Sequence, residues 1–210
     1  MNPTLITVLL ADDHPLFREA LRGLLQRDGR FEVVAVAPNG AVAEAELLRL
    51  QPDVALLDHA MPVRSGLEVV RSAQAQSVPT RCGLLSSFGN PLLVAEALRT
   101  GADGYLLKED SPVTLADGAA RLAVGECVIS PAVDRAALRE AMNSLAVSGR
   151  EMDVLRLLVQ GAPASEMASR LGISPRTVET YRNQLVVKFG ARNAVDLVRR
   201  AVESGFVVGQ

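Results

Sequence analysis

Aromatic residues, histidine and cysteine are scarce in this sequence. It has no tryptophan, five phenylalanines and two tyrosines, so aromatic residues make up 3% of its 210 residues. Histidine and cysteine occur twice each, and Cys82 and Cys127 do not form a Cys-x-x-Cys pair. Zinc sites usually combine cysteine and histidine ligands at short spacings, and disulfide frameworks need several cysteines. The sequence therefore disfavours both and indicates two buried, reduced thiols in a cytoplasmic protein.

Long hydrophobic runs are absent as well. Although 49% of the residues are hydrophobic, no run approaches the length of about 20 residues that crosses a bilayer. Asp12 and Asp13 follow the first apolar segment, an order that is not typical of a signal peptide. We therefore expect a cytoplasmic protein without a membrane partner, long enough for two domains with cores of their own.

Charge is distributed unevenly along the chain. Residues 1–143 contain 13 Lys and Arg against 18 Asp and Glu, a net charge of −5, whereas residues 144–210 contain 9 against 6, a net charge of +3. The two values add to the −2 of the whole chain. An acidic first part and a mildly basic second part suggest two domains with different partners, although chance variation gives similar numbers.

Short apolar segments alternate with helical patterns through residues 1–125. The apolar segments predict five strands: Ile6–Ala11, Phe31–Ala37, Val54–Leu57, Cys82–Leu85 and Gly104–Leu107. Helical spacing of apolar residues predicts five helices: Phe17–Arg27, Ala41–Leu50, Gly66–Ala75, Pro91–Arg99 and Val113–Val124. This alternation is typical of a doubly wound α/β domain with a five-stranded parallel sheet and helices on both faces.

Polar residues end four of the five predicted strands: Asp12 and Asp13, Asp58, Ser86 and Lys108. Doubly wound topology brings these strand ends to one edge of the sheet, where ligands bind. Crowded carboxylates repel one another unless a cation lies among them, and Mg²⁺ prefers such oxygen ligands. A lysine and a hydroxyl suit phosphoryl oxygens, and an aspartate serves as the nucleophile in some phosphoryl transfers.

Residues 4–125 resemble the receiver domain of bacterial two-component response regulators, which has a flavodoxin/CheY-like fold. The resemblance rests on the order and spacing of Asp12-Asp13, Asp58 with Met61-Pro62 and Gly66, Ser86, and the segment Gly101–Lys108. It implies that a sensor histidine kinase is a partner and that Asp58 accepts a phosphoryl group from it.

The resemblance also implies a role for each neighbour of Asp58. Mg²⁺ would be held by the side chains of Asp13 and Asp58, by Asp12 through water, and by the backbone carbonyl of Ala60. Lys108 would pair with the phosphoryl oxygens. Ser86 would shift toward the phosphoryl group and Tyr105 would turn inward. The surface of the fourth helix, fifth strand and fifth helix would then change, and such regulators often dimerise there.

Simpler interpretations exist for the same residues. Asp12 also suits a helix cap, Ser86 a turn, Lys108 a solvated strand end and Tyr105 an ordinary core position. The two histidines, His14 and His59, are interpreted as loop residues because Mg²⁺ seldom takes imidazole.

Two neighbours lie near the path of attacking water in the family, the small Ala60 and the bulky Phe88. A small Ala60 leaves water access to the phosphoryl group, whereas a bulky Phe88 restricts it. The lifetime of the phosphoryl group is therefore not predicted.

The rest of the chain predicts a small all-α domain of four helices. Residues 126–144 are interpreted as a linker with a short helix near Asp134–Met142, with a rigid continuation of the first domain as the alternative, and residues 145–210 as the domain. Its predicted helices are about Ser148–Gln160, Pro163–Leu171, Pro175–Phe189 and Asn193–Ser204. Ser148 with Glu151 is a capping-box pattern, and Ser174-Pro175 is typical of a helix start. The expected core consists of Leu155, Leu158, Met167, Leu171, Ile173, Val178, Leu185 and Leu197.

A short helix, a tight turn and a capped second helix indicate a helix-turn-helix, although a protein-binding helical bundle has the same composition. Residues 145–208 resemble the LuxR-type DNA-binding domain of NarL/FixJ-type regulators. The matching residues are Ser148–Glu151, Val154, Leu155, Ala168, Leu171–Ser174, Arg176–Glu179, Lys188 and Asn193.

The LuxR-type resemblance implies contacts with double-stranded DNA. Glu179, Thr180 and Asn183 would contact base edges. Thr177, Tyr181, Lys188 and Arg192 would contact the DNA backbone, and Arg176 suits phosphates. The last helix, around Val195, Val198 and Val202, would form a homodimer.

The favoured function is a DNA-binding transcription regulator that is activated by phosphorylation of Asp58. One alternative is a regulator that binds DNA independently of phosphorylation. Another is an aspartate-nucleophile phosphatase, but such enzymes usually carry a second aspartate where this chain has Ala60. A flavodoxin-like cofactor protein is a third, but no loop offers a cradle for a flavin phosphate. We therefore do not expect an enzyme.

Overall fold

The computed structural model describes residues 5–143, 147–189, 191–203 and 206–207. The predicted domain boundary at residues 144 and 145 lies outside these residues, as do Gly190 and Ser204, which were expected at the ends of two helices. The chain divides into two compact units, and the second contains Asn90–Ala95 together with the chain from Arg135 onward. None of the helices within the described ranges is long and apolar enough to span a membrane.

Between Leu5 and Asp134 the chain forms six strands and five helices. Their order is β1 (Ile6–Ala11), α1 (Pro15–Asp28), β2 (Phe31–Ala37), α2 (Gly40–Leu50), β3 (Val54–Asp58), α3 (Gly66–Ala75), β4 (Arg81–Ser86), α4 (Pro91–Thr100), β5 (Gly104–Leu107), α5 (Pro112–Ala123) and β6 (Val128–Ile129). The five predicted strands and five predicted helices are confirmed, with differences of at most two residues at their ends.

All strands are parallel, in the order β2-β1-β3-β4-β5-β6. The predicted doubly wound sheet is therefore confirmed. The predicted number of five strands was wrong, because the sheet has a sixth strand, β6, in the segment interpreted as a linker. The amide of Val128 donates to the carbonyl of Asp103 at 3.1 Å, and that of Ser130 donates to the carbonyl of Tyr105 at 2.8 Å. A strand of two residues is too short to produce a periodic pattern.

The middle of the sheet is covered on both faces, and all five residues of β3 are buried. On one face, Leu21 and Leu25 of α1 and Leu122 of α5 belong to a core cluster with alternate residues of the strands. On the other face, α3 brings Gly66 against the carbonyl of Asp58 and the side chain of Leu84. Burial on both faces explains why β3 is continuously apolar up to Asp58.

From Arg135 onward the described chain forms five helices: α6 (Arg135–Asn143), α7 (Gly149–Val159), α8 (Ala164–Leu171), α9 (Pro175–Lys188) and α10 (Ala194–Glu203). The capping box of α7 is confirmed, because the Ser148 hydroxyl accepts from the Glu151 amide and the Glu151 carboxylate accepts from the Ser148 amide. Ser174 caps α9 by accepting from the Thr177 amide at 3.1 Å. The α8–α9 turn is tight because Gly172 adopts a left-handed conformation with φ of 64°.

The core of the second unit contains five of the eight predicted residues: Leu155, Met167, Val178, Leu185 and Leu197, each at most 1% exposed. Leu158, Leu171 and Ile173 are only half-buried. Met152, Val154 and Ala201 are buried instead. Short helices leave room for few fully enclosed positions, so not every apolar residue is buried.

Candidate functional site

Three charged side chains meet at the carboxyl ends of β1, β3 and β5. The ammonium Nζ of Lys108 lies 2.7 Å from Oδ2 of Asp12 and 3.0 Å from Oδ2 of Asp58. Both carboxylate side chains are at most 4% exposed, and the Lys108 side chain is 11% exposed. The parallel sheet therefore brings these three predicted residues together in a largely buried site.

Asp13 and His14 complete the acidic cluster. One ligand atom each from Asp12, Asp13, His14 and Asp58 lies within 4.8 Å of the others. The Nδ1 atom of His14 is 2.8 Å from Oδ1 of Asp13 and 3.3 Å from Oδ1 of Asp12. His14 was interpreted as a plain loop residue, but its ring faces both carboxylates.

The carboxylates of this cluster fit a divalent cation. Asp12 Oδ2, Asp13 Oδ1 and Asp58 Oδ2 are buried, and within the described part of the chain no donor reaches them apart from the Lys108 ammonium and the His14 ring. Lys108 supplies a single positive charge for several carboxylates. Buried charges that are incompletely paired are costly, and oxygen donors of this kind are the ligands that Mg²⁺ prefers.

Burial controls the protonation of Asp58. Its pKa is raised to about 6, mainly because burial desolvates the carboxylate; the positive charge of Lys108 opposes this rise and the negative charge of Asp12 adds to it. The Ala60 amide lies 3.4 Å from Oδ1 of Asp58 and also favours the ionised form. A cation bound among these carboxylates would lower the pKa in the same way as Lys108 does.

Sequence reasoning missed two residues of α1 that border the site. Nζ of Lys108 lies 5.1 Å from the centre of the Phe17 ring, an arrangement that attracts a cation to the aromatic face. The Arg18 guanidinium donates to the backbone carbonyl of Asp12 at 2.6 Å. Helical periodicity assigned Phe17 to the core, and nothing in the sequence pattern distinguished these two positions from ordinary helix residues.

Ser86 and Tyr105 are buried beside this cluster. The Ser86 side chain accepts from the Phe88 amide at 3.0 Å, and its carbonyl accepts from the Lys108 amide at 2.9 Å. The Tyr105 ring is fully buried, and its hydroxyl donates to the Phe88 carbonyl at 2.9 Å. Burial raises the pKa of this hydroxyl to about 12, so it remains a donor. Tyr105 thus has the inward orientation, while the Phe88 side chain is 41% exposed.

Helix α9 presents an exposed polar surface at the second predicted site. Arg176, Glu179, Thr180 and Asn183 are exposed, and Thr177 is half-buried. Two of the residues predicted to contact base edges form hydrogen bonds within α9. Arg182 donates to Glu179 at 2.6 Å, and the Thr180 hydroxyl donates to the Arg176 carbonyl at 3.0 Å. The side chains that were expected to contact base edges therefore share one accessible stretch of helix.

The predicted DNA-backbone contacts have different environments. Tyr181 is half-buried on α9, and the Arg192 side chain is 85% exposed before α10. Lys188 differs from this expectation, since its side chain is only 18% exposed and its ammonium lies 2.7 Å from the Glu151 carboxylate. The ammonium of Lys188 is therefore engaged by a carboxylate of the second unit.

Comparison with known protein families identifies both parts of the chain. Residues 8–119 match the response regulator receiver domain, and residues 145–201 match the luxR family of bacterial regulatory proteins. Together these matches cover both the acidic site and α9.

Relatives match over nearly the whole chain. The probable transcriptional regulatory protein NarL of Mycobacterium tuberculosis is 34% identical over 207 residues, 96% of this chain and 95% of the relative. The nitrate/nitrite response regulator protein NarL of Escherichia coli is 34% identical over 200 residues, 90% of this chain and 92% of the relative.

A solved structure shares the fold. RcsB from Salmonella enterica, in a structure bound to the promoter rprA with a phosphomimetic, is 22% identical with a TM-score of 0.72, covering 94% of this chain and 98% of that one. The chain belongs to the NarL/LuxR family of two-component response regulators, transcription regulators that combine a receiver domain with a DNA-binding domain.

Proposed function

We propose that Asp58 is the phosphoacceptor of this regulator and that a sensor histidine kinase is the donor. The observation that supports this best is the position of Asp58 at the end of the central strand, 3.0 Å from the Lys108 ammonium. A carboxylate in this position has an adjacent positive charge for the incoming phosphoryl oxygens and a protein wall that excludes most water.

The proposed reaction transfers one phosphoryl group. A carboxylate oxygen of Asp58 forms a bond to phosphorus while the phosphorus–nitrogen bond of the kinase phosphohistidine breaks. The electron pair of that bond returns to the ring nitrogen, which leaves as neutral imidazole when the other ring nitrogen carries a proton. Lys108 offsets the negative charge of the phosphoryl oxygens throughout.

The acidic cluster fits the Mg²⁺ that receiver domains typically bind. Asp12, Asp13, Asp58 and the carbonyl of Ala60 would hold it, and the ion would supply positive charge beside the phosphoryl oxygens. We propose that Ser86 then moves toward the phosphoryl group while Tyr105 keeps its inward position. The bond from the Tyr105 hydroxyl to the Phe88 carbonyl links this movement to the loop after β4.

We propose that the output is binding of a homodimer to double-stranded DNA through α9. Glu179, Thr180 and Asn183 would contact base edges, and Arg176, Thr177, Tyr181 and Arg192 the DNA backbone. Exposure of most of these side chains supports the assignment, with Thr177 and Tyr181 half-buried. For the dimer, α10 offers an apolar side chain on its surface, since Val195 is 80% exposed.

Mass spectrometry tests the phosphoacceptor. Incubation with acetyl phosphate and Mg²⁺ should add one phosphoryl mass to the wild-type chain and none to Asp58→Asn. Asp117→Asn is the matched control, because Asp117 lies in an exposed ion pair with Arg30, and it should behave as the wild type. Addition of the same mass to Asp58→Asn would remove Asp58 from the role.

Selection of binding sites from genomic DNA, with and without phosphodonor, tests the output. A set of sites that is enriched more strongly with phosphodonor is expected. Equal enrichment in both conditions would favour a regulator that acts independently of phosphorylation, and no enrichment would contradict DNA binding.

A further inference from the structure

The chain contains 22 basic residues, of which only Lys108 and Lys188 are lysines. Both have largely buried side chains, 11% and 18% exposed, beside carboxylates that are at most 4% exposed. Lys108 belongs to the acidic site. Lys188, the last residue of α9, makes the corresponding contact with a carboxylate in the second unit. The proposed function gives this lysine no role.

The partner of Lys188 is Glu151, the capping residue in the first turn of α7. Oε2 of Glu151 accepts from the Ser148 amide at 2.6 Å and from Nζ of Lys188 at 2.7 Å. One carboxylate oxygen therefore joins the beginning of α7 to the end of α9. Removing one member of such a buried pair leaves the other uncompensated, so the contact constrains both helices strongly.

Two further contacts hold the same end of α9. The carbonyl of Phe189 accepts from the Arg200 guanidinium at 3.4 Å, and the rings of Phe189 and Phe206 meet edge to face at 4.8 Å. The other end of the helix carries the exposed residues Arg176, Glu179 and Thr180. The helix is thus anchored at its carboxyl end and presents its polar side chains from the rest of its length.

We propose that Lys188 is a positioning residue for DNA recognition: its ion pair with Glu151 fixes the orientation of α9, and it does not itself contact a phosphate. This inference rests on the proposed use of α9 to read DNA. Base contacts depend on orientation to within a fraction of an ångström, whereas phosphate contacts tolerate more movement. Loss of the pair should therefore reduce discrimination between sequences more than it reduces general affinity.

The affinity of the full-length protein for its selected site and for a scrambled duplex, measured by fluorescence anisotropy over a range of salt concentrations, tests this. For Lys188→Met we expect a loss on the order of tenfold on the selected site, as for coupled ion-pair partners. The scrambled duplex and the salt dependence should change little. Equal loss on both duplexes, with a slope of log K against log salt that is smaller by about 0.9, would indicate a phosphate contact and overturn the proposal.

Glu151→Gln is an independent test of the same proposal, and it can be used even if Lys188→Met does not fold. Glutamine keeps the capping box but removes the charge that holds Lys188. A positioning role requires loss of sequence discrimination although every basic residue is retained. Affinity that is maintained or increased on the selected site would mean that the released lysine binds DNA, and would contradict positioning.

Controls separate this proposal from folding and from the proposed function. Arg176→Ala should weaken both duplexes and reduce the salt slope, since among the described residues no carboxylate pairs with Arg176. Lys188→Arg, which keeps the charge, should retain part of the discrimination that Lys188→Met loses. If Lys188→Met only lowers the unfolding temperature and leaves the ratio of the two affinities unchanged, the role is merely structural. A wild-type protein that binds neither duplex would overturn DNA binding itself.

Discussion

Gly66 occupies a position in which no side chain fits. A Cβ atom there would lie 2.3 Å from the carbonyl oxygen of Asp58 and 2.9 Å from a methyl carbon of Leu84. The Gly66 amide also donates to the carbonyl of His59 at 3.2 Å. The first turn of α3 is therefore held directly against the end of β3, and this close approach helps to place Asp58.

We expect Gly66→Ala to lower the free energy of unfolding by about 3 kcal/mol, because an overpacked site can relax here only by moving backbone. Denaturant unfolding measures this change. Gly23→Ala in α1 is the matched control, since the nearest atom is a flexible Arg27 nitrogen at 3.4 Å. Alanine should stabilise α1 by roughly 0.5–1 kcal/mol. Similar effects of the two substitutions would contradict close packing at Gly66.

The carboxyl group of Glu151 should make the stability of the second unit depend on pH. Burial tends to raise the pKa of Glu151, but hydrogen bonds from Lys188 and Ser148 outweigh burial and hold the pKa below its ordinary value of 4.5. A carboxyl group with a lower pKa in the folded state stabilises the fold above the ordinary pKa. This stability is lost as the pH falls through the folded-state pKa.

Glu151→Gln should therefore be less stable than the wild type at neutral pH, with a difference that shrinks as the pH falls below 4.5. Unfolding followed by Tyr181 fluorescence in a Tyr105→Phe background reports on the second unit, because these are the only two tyrosines. A difference that stays constant down to strongly acidic pH would show that the Glu151 charge contributes nothing.

At the scale of secondary structure, β6 shows where periodicity stops being informative. Strands and helices of four residues or more repeat their apolar positions, so the sequence predicted them to within two residues. A two-residue strand has no repeat, and Pro131 and Gly125 near it are typical of a linker. The conformation of β6 depends on hydrogen bonds to the edge of the sheet at β5, and no local sequence pattern encodes these bonds.

Hydrogen exchange distinguishes a strand from a linker in this segment. The amides of Val128 and Ser130, which donate to Asp103 and Tyr105, should exchange slowly, since exchange requires opening of the sheet edge. The amide of Cys127 should exchange quickly, because this residue is exposed and not buried as the sequence predicted. Fast exchange at all three positions would restore the interpretation of a linker.

At the scale of the whole molecule, the acidic site and α9 lie in separate units. Control of DNA binding by phosphorylation is then a coupling free energy between two sites. Such coupling requires that phosphorylation and DNA favour the same state of the chain, whatever contacts carry it.

A pair of substitutions measures this coupling. Without phosphodonor, Asn183→Ala should lose roughly 1–3 kcal/mol of binding free energy on the selected site alone, and Asp58→Asn should lose little. Their combination should equal the sum within about 0.5 kcal/mol, as for sites that act independently. With phosphodonor, only chains that retain Asp58 should gain affinity. Equal loss on all sequences for Asn183→Ala would make Asn183 a backbone contact, and a gain in Asp58→Asn would place the control elsewhere.

The sequence by itself determined the two-part organisation, the parallel sheet and the aspartates, serine and lysine at its edge. These properties follow from local periodicity and from chain topology, which places strand ends together without any detail of packing. Only the tertiary structure decided the sixth strand, the contacts of Phe17 and Arg18 with the acidic site, and the partner of Lys188. Each depends on which distant groups surround a side chain, and a lysine has the same local pattern whether it faces a phosphate or Glu151.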